Sequence, residues 1–349
     1  MKFGLFGGAT AKMEGHGAAP QATGATERLQ FSQSDDSHGY RQLIDGVVEA
    51  ERLGFHSIFL VEHHFTGSAQ ISASLNLLTY LAARTSRIRL GTAVVVVPWH
   101  NPVLLAEQAA TVDVLSNGRL DFGVGKGYRP NEFQRFCIPL EEATERFEES
   151  IGLIKKALTA DERFSHHSKR WHFEDIIVEP PPVQRPHPPM WLAAGRPDSI
   201  RKAAEDGYSL LLDQFATFEL TLERLRIYRE TVEAMGRRFD PMTVGVARGI
   251  AIVRNDEERE RALGRRMASL DRMNRLATTA DRRYVSSMAS DPNLRQAAEN
   301  GTLIGTPDEI IEMIRHLRDA GVGYILLSSA YVTPGLMQSF AEEVMPAFA

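Results

Sequence analysis

Apolar and polar positions alternate along this chain in two patterns. Short continuous apolar runs begin at Lys2, Ser57, Arg89, Leu120, Pro189, Tyr208, Val244 and Tyr324. Such runs predict strands buried on both faces. Between them, apolar residues recur at helical spacing. Over 40–53, Leu43, Val47, Ala50 and Leu53 share one face, and Gly54 marks the stop. Further helices are predicted over 71–84, 102–115, 141–158, 198–205, 218–235, 307–320 and 335–345. The helix over 102–115 has Asn101 to cap its start and Asn117-Gly118 at its end. Eight strands, each followed by helical sequence, predict a (β/α)8 TIM barrel. A doubly wound sheet is the rival, but Gly4-Leu5-Phe6-Gly7-Gly8 does not match its G-x-G-x-x-G fingerprint.

Three stretches interrupt the alternation. Residues 9–38 lack periodicity and read as a long loop. Residues 160–188 are irregular and Pro-rich, carrying Pro180, Pro181, Pro182, Pro186 and Pro188. Residues 256–300 are charged and mostly helical in period. One barrel domain over 1–349 is expected. Within it, 9–38 and 265–303 are candidate lid or insertion segments, the latter between the seventh and eighth strands.

Composition narrows the class. The chain has 349 residues, 43% hydrophobic and 24% charged, the balance of a globular protein rather than a disordered one. A net charge of −5 argues against a nucleic-acid or anionic-membrane surface as the main partner. The single cysteine, Cys137, excludes an internal disulfide and a multi-cysteine zinc site, and it suits a reducing compartment. No apolar run reaches the ~20 residues of a membrane span. The N-terminal stretch is too short and Gly-rich for a signal-peptide core, so a cytoplasmic location is expected.

In such barrels the chemistry sits at the C-terminal strand ends. The first strand ends at Phe6-Gly7-Gly8, where small residues let a planar ligand approach the backbone. The second ends in Glu62-His63-His64-Phe65, three titratable side chains after five apolar residues. The third ends in Val97-Pro98-Trp99-His100. The fourth carries Gly123, Gly125 and Gly127 around Lys126, exposed N–H groups beside a cation, which suits a phosphate. The fifth ends in Gly195-Arg196-Pro197-Asp198-Ser199 and opens a helix, a second anion-suited element unless Asp198 or Ser199 is a plain N-cap. A metal-dependent hydrolase built on Glu62, His63 and His64 is disfavoured, because adjacent strand residues point to opposite faces. Trp99, Tyr128, Phe133 and Phe136 offer aromatic lining. Arg272, Arg275, Arg282 and Arg283 read as a solvated helix face.

Taken in order, several motifs resemble the bacterial-luciferase-like flavin-dependent monooxygenases. They are Glu62-His63-His64-Phe65-Thr66, Leu90-Gly91-Thr92-Ala93-Val94, Asn101-Pro102-Val103, the run from Leu115 to Tyr128, and Gly305-Thr306-Pro307-Asp308-Glu309. The resemblance covers nearly the whole chain, weakest over 9–38, 160–188 and 265–300. It implies a barrel enzyme that uses reduced FMN and O2, through a flavin 4a-hydroperoxide, to oxygenate a small organic substrate. The reduced flavin would come from a separate NAD(P)H:flavin reductase. By the same resemblance His63 and Glu62 are catalytic. Phe6, Ala93, Val94 and Tyr128 line the ring pocket, with a cis bond at Ala93–Val94. Lys126, Gly127, Gly195, Arg196 and Ser199 hold the phosphate. Gly125 stands where the light-emitting subunit has a reactive cysteine, which disfavours bioluminescence. The alternatives are a deazaflavin-dependent hydride-transfer enzyme on the same barrel and a non-catalytic flavin-binding partner subunit. A homodimer is also expected. The helix over 71–84 carries Ala73, Leu75, Leu77, Leu78, Leu81 and Ala82, and the helix over 102–115 is apolar around much of its girth.

Overall fold

A computed structural model describes residues 1–8, 38–65, 71–276, 293–328, 333 and 335–349. Residues 9–37 of the loop predicted over 9–38 therefore lie outside the described residues, as do Thr66, Arg282 and Arg283, while His38 belongs to the first helix.

Eight parallel strands close into a barrel. They are β1 (Lys2–Gly7), β2 (Ser57–Leu60), β3 (Arg89–Thr92), β5 (Leu120–Gly125), β8 (Met190–Ala193), β9 (Ser209–Leu212), β10 (Val244–Ile252) and β12 (Tyr324–Ser328). Closure comes from β12, which pairs with β10 on one side and β1 on the other. All eight follow the apolar runs of the sequence. Two-residue β4 (Val95–Val96) extends the third position along β5.

Aromatic side chains fill the barrel interior. Phe59 and Trp191 meet edge-to-face at 5.4 Å, and Trp191 meets Tyr324 in the same way at 6.0 Å. Gly91 makes room for them, since a Cβ there would lie 2.4 Å from the Phe59 ring. Phe6, Ala93 and Val94 pack partly buried against this cluster.

The α-helices among the described residues are α1 (His38–Leu53), α2 (Ser74–Arg84), α3 (Pro102–Leu115), α4 (Pro130–Arg135), α5 (Ala143–Thr159), α6 (Pro197–Glu205), α7 (Phe218–Ala234), α8 (Asp256–Leu276), α9 (Leu294–Gly301), α10 (Pro307–Asp319) and α11 (Leu336–Glu343). Asn101 caps α3 by accepting the N–H groups of Val103 and Leu104. Thr306 and Glu309 form a capping box on α10. Among the described residues no helix is long and apolar enough to cross a membrane.

Three features depart from the sequence reading. The irregular Pro-rich stretch contains an antiparallel hairpin of β6 (Phe164–His167) and β7 (His172–Ile176). Its half-exposed, His- and Glu-bearing strands lack the apolar signal of a barrel strand. The helix expected from Ile71 starts at Ser74. The insertion between the seventh and eighth barrel strands adds β11 (Thr302–Gly305), which pairs with β10 at 249–252. There β11 occupies the flank of β10 that β9 leaves after Val246.

The long run from Leu115 to Tyr128 divides in two. Its first half is structural. Arg119 is buried and donates to the carbonyls of Ala82, Thr85, Ile88 and Ser116. Asp121 accepts two hydrogen bonds from Arg89 at 2.7 and 2.8 Å. Its second half reaches the C-terminal mouth.

Candidate active site

The mouth over β2, β3 and β5 carries most of the candidate residues. Past Leu60 the chain leaves the sheet, and Glu62, His63 and His64 follow as irregular backbone. Glu62 is 3% exposed. Its Oε1 accepts from Nε2 of His64 at 3.0 Å and of His100 at 3.1 Å, and its Oε2 accepts the Val96 N–H at 3.4 Å. Burial pushes its pKa up, but the hydrogen bonds from His100 and His64 outweigh this and leave it lowered. Glu62 is therefore a buried carboxylate that orients two imidazoles.

His63 faces the other way. Its Nδ1 lies 3.3 Å from Oε1 of Glu132, which also accepts the His64 N–H at 2.9 Å. A carboxylate only accepts, so Nδ1 of His63 carries the proton and Nε2 keeps its lone pair. Among the described residues Nε2 has no hydrogen-bond partner. Burial lowers the His63 pKa, and the nearby Arg129 cation adds to this against the opposing pull of Glu132. The ring meets Tyr128 edge-on at 6.2 Å.

Glu132 and Arg129 went unassigned in the sequence. Both are 2% exposed, and their side chains pair at 3.6 Å. Arg129 also donates through Nε to the Tyr128 hydroxyl at 3.3 Å, and its buried Nη1, the atom that faces Glu132, makes no hydrogen bond among the described residues. Burial raises the Tyr128 pKa, and its hydroxyl donates to Sδ of Met273 on α8 at 3.8 Å. The described end of the predicted insertion thus touches the mouth. The sequence offered one faint sign, an Arg and a Glu three apart beside Pro130. Their approach to His63 is a tertiary event.

The four aromatics separate. Trp99 and Phe136 pack against His64, with ring separations of 5.2 Å and 4.8 Å, and Phe133 backs Trp99 at 5.4 Å. Tyr128 stands at His63 instead. Trp99 Nε1 is buried without a partner among the described residues.

Phe6, Ala93 and Val94 come together above the interior cluster, and the Ala93–Val94 bond is cis. Val94 lies over Gly125, where a Cβ would meet its Cγ2 at 2.5 Å. A cysteine at Gly125 would require Val94 to move. Gly127 turns with φ of +79° beneath Phe133. Lys126 is exposed and donates to Thr144 Oγ1 at 3.0 Å.

The neighbouring strand β8 runs in register with β5, Val124 opposite Leu192. Its end carries Gly195 and the N-terminus of α6. Arg196 occupies the cap position with no side-chain capping hydrogen bond. Asp198 pairs with Arg201 at 3.0 Å, so neither it nor Ser199 is the N-cap. The first-turn N–H groups of α6 and the Lys126 ammonium therefore belong to adjacent strand ends. That donor set fits a phosphate, and the apolar floor of Phe6, Ala93 and Val94 fits a flat ring. No cluster of metal-ligating side chains occurs among the described residues.

Residues 1–323 match the family model described as luciferase-like monooxygenase, and the chain belongs to that family. It is 32% identical over 203 residues to the oxygenase component of flavin-dependent trigonelline monooxygenase from Acinetobacter baylyi, covering 56% of each chain. It is 27% identical over 340 residues to an F420-dependent glucose-6-phosphate dehydrogenase from Amycolatopsis mediterranei, covering 91% of this chain and 98% of the relative. The aligned part of this chain spans about half the length of the first curated relatives it matches. Among solved structures, monooxygenase RslO1 from Streptomyces bottropensis superposes with a TM-score of 0.79 at 26% identity, covering 100% of both chains. The similar proteins thus include both a flavin-dependent oxygenase component and an F420-dependent dehydrogenase.

Proposed function

We propose that this chain is the oxygenating component of a two-component monooxygenase. It would take reduced FMN from a separate NAD(P)H:flavin reductase, together with O2, and insert one oxygen atom into a small organic substrate. The observation that carries this reading is His63: a neutral imidazole with Nδ1–H on Glu132 and Nε2 unengaged, at the mouth above Phe6, Ala93 and Val94. The similarity to a flavin-dependent oxygenase component supports it.

Bound reduced FMN would supply the electrons that activate O2. Phe6, Ala93, Val94 and Tyr128 hold the ring in this reading. Lys126, with the backbone of Gly127, Gly195 and Arg196 and the Ser199 hydroxyl, holds the phosphate. His63 Nε2 accepts or returns a proton at the reacting edge, and Glu132 fixes the tautomer that makes this possible. Glu62 acts at one remove, as a positioning residue for His64 and His100. The aromatic packing about His64 keeps water from that flank.

The F420-dependent relative gives a rival, hydride transfer with a deazaflavin. Anaerobic titration with reduced FMN and with reduced F420 separates the two. FMN binding in the micromolar range with none to F420 is expected. Binding of F420 alone would replace this reading with the rival.

We also propose that the chain pairs with a second copy through α2 and α3. The leucines of α2 are not available for this, because Leu75, Leu77, Leu78 and Leu81 pack inside the barrel shell. Leu104 and Leu115 on α3 remain 53% and 57% exposed, and Tyr80 on α2 is 50% exposed. The two leucines lie about 20° apart around the helix, so they share one face.

A further inference from the structure

On the opposite side of the mouth, the barrel buries more positive charge than it neutralises. Arg248 on β10 is fully buried, Arg224 on α7 is 5% exposed and Arg266 on α8 is 9% exposed. Asp213, just after β9, pairs with Arg224 at 2.7 Å and is the carboxylate that acts on both other guanidinium groups among the described residues. The remaining contacts are neutral. Arg248 donates to the Asp213 and Ala247 carbonyls and to the Thr221 hydroxyl. Arg266 donates to the side chain and backbone carbonyl of Gln214. The Nε atoms of all three arginines have no partner among the described residues. A buried guanidinium stays charged, so this arrangement leaves an uncompensated positive field.

That field opens into a cavity of about 510 Å3 between α8 and the ends of β10, β11 and β12. Arg261, Arg265 and Arg266 line it against a single acid, Glu258. Arg261 is already paired with Glu257 at 2.6 Å, and Arg265 and Arg266 outnumber Glu258, so the lining is net positive. Thr302, 3% exposed, also lines it, and its Oγ1 has no partner among the described residues. The rest of the lining mixes apolar residues, including Ile252, Ala262 and Ile304, with the neutral polar Gln214, Ser269 and Ser328. A cavity of this size exceeds what a lone inorganic anion fills and suits a small organic molecule.

One helix links this cavity to His63. On α8, Ala262, Arg266 and Ser269 face the cavity, and Met273, one turn further on the same face, meets the Tyr128 hydroxyl. Arg266 and Met273 are about 10 Å apart along the axis. We propose that the cavity takes the carboxylate head of an organic substrate, seated between Arg266, Arg265 and Thr302, with its apolar body lying along α8 toward His63. This rests on the oxygenase reading above and names its substrate class as organic carboxylates.

The test is calorimetric titration of the flavin-free protein with benzoate and hexanoate, and with their neutral counterparts benzyl alcohol and hexanol. Each carboxylate should bind at least about tenfold more tightly than its alcohol, the scale of one charge-assisted hydrogen bond. Thr302→Val, Arg265→Ala and Arg266→Gln should each weaken the carboxylates about three- to thirtyfold and leave the alcohols unchanged. Thermal melts identify any variant that fails to fold; Arg265 is exposed, so its variant keeps the test decisive. Equal binding of acid and alcohol, no binding of either carboxylate, or binding of inorganic phosphate alone would overturn the proposal. Reduced-FMN titration of the same variants keeps the two readings apart. Loss of FMN affinity with intact carboxylate binding would assign the cavity to the cofactor, and failure of FMN to bind the parent protein would overturn the oxygenase reading alone.

Discussion

Two sides of the same barrel mouth handle buried charge in opposite ways. Over β2, β3 and β5, Glu62 and Glu132 are enclosed by His63, His64, His100 and Arg129, and each carboxylate has two or more partners. Between β9, β10 and α8, three buried arginines share Asp213. Imidazole can take up or shed a proton to suit its surroundings, so the first side can adjust its own charge. Guanidinium cannot. Burial lowers Arg248 and Arg266 only to about 10, which leaves both charged at neutral pH. A network that can adjust its own charge suits proton handling, and a fixed excess of positive charge suits an anion that arrives from outside.

The sharpest way to break this contrast is at His63. His63→Ala should lower turnover of an identified substrate by about 10²–10⁴-fold, the range for a proton-transfer group, and leave the melting temperature near that of the parent. A coupled assay with a flavin reductase measures it, and turnover at the parent rate would remove His63 from the chemistry.

Next comes the pH profile. Because the His63 pKa is lowered, kcat/KM should hold level down to the ordinary histidine range and fall only below it. Glu132 raises that pKa, so Glu132→Gln should move the acid limb to lower pH; movement to higher pH would contradict the assignment. Stability follows the same sign. Below the unfolded-state pKa the unfolded chain takes up a proton that native His63 refuses, so His63 contributes a loss of stability as pH falls through that range.

A smaller effect is expected at Lys126. It is exposed, so Lys126→Ala should weaken FMN about three- to tenfold and leave riboflavin, which lacks the phosphate, unchanged. Equal weakening of both, read by fluorescence titration, would place the lysine at the ring or in the fold.

The least effect on either side of the mouth should come from Leu104→Glu combined with Leu115→Glu. Sedimentation equilibrium of the parent should give about twice the chain mass of 38.9 kDa, and the double variant should give one chain mass. FMN and carboxylate binding should persist. A parent protein that stays at one chain mass would refute the pairing.

The barrel was legible along the chain because a parallel strand buried on both faces is a local fact: Ile58-Phe59-Leu60 and Leu210-Leu211-Leu212 read as strands with no knowledge of their neighbours. The Glu62-His63-His64 triplet was legible for the same reason, as adjacent titratable groups directly after an apolar run. Its division of labour was not. Glu62 and His64 turn inward to His100, and His63 turns toward Glu132, a residue 69 positions away on a six-residue helix. The β6–β7 hairpin escaped because its strands are half in solvent and carry no apolar run, and residues of α5 help to hold its turn through Glu149, Ser168 and Arg170. The arginine excess escaped for a related reason. Arg224, Arg248 and Arg266 each look like ordinary charged residues in their own segments, and only barrel closure removes them from water together.

By itself, then, the chain determined the eight strands, the order of the crossover helices and which strand ends bear titratable or anion-suited residues, because burial patterns and turn chemistry act over a few residues. The tertiary structure alone decided which carboxylate meets which imidazole, that the N-terminus of α6 lacks a side-chain cap, and that three arginines outnumber their acid. Those are properties of distance and desolvation between segments remote in sequence, and they exist only once the barrel closes.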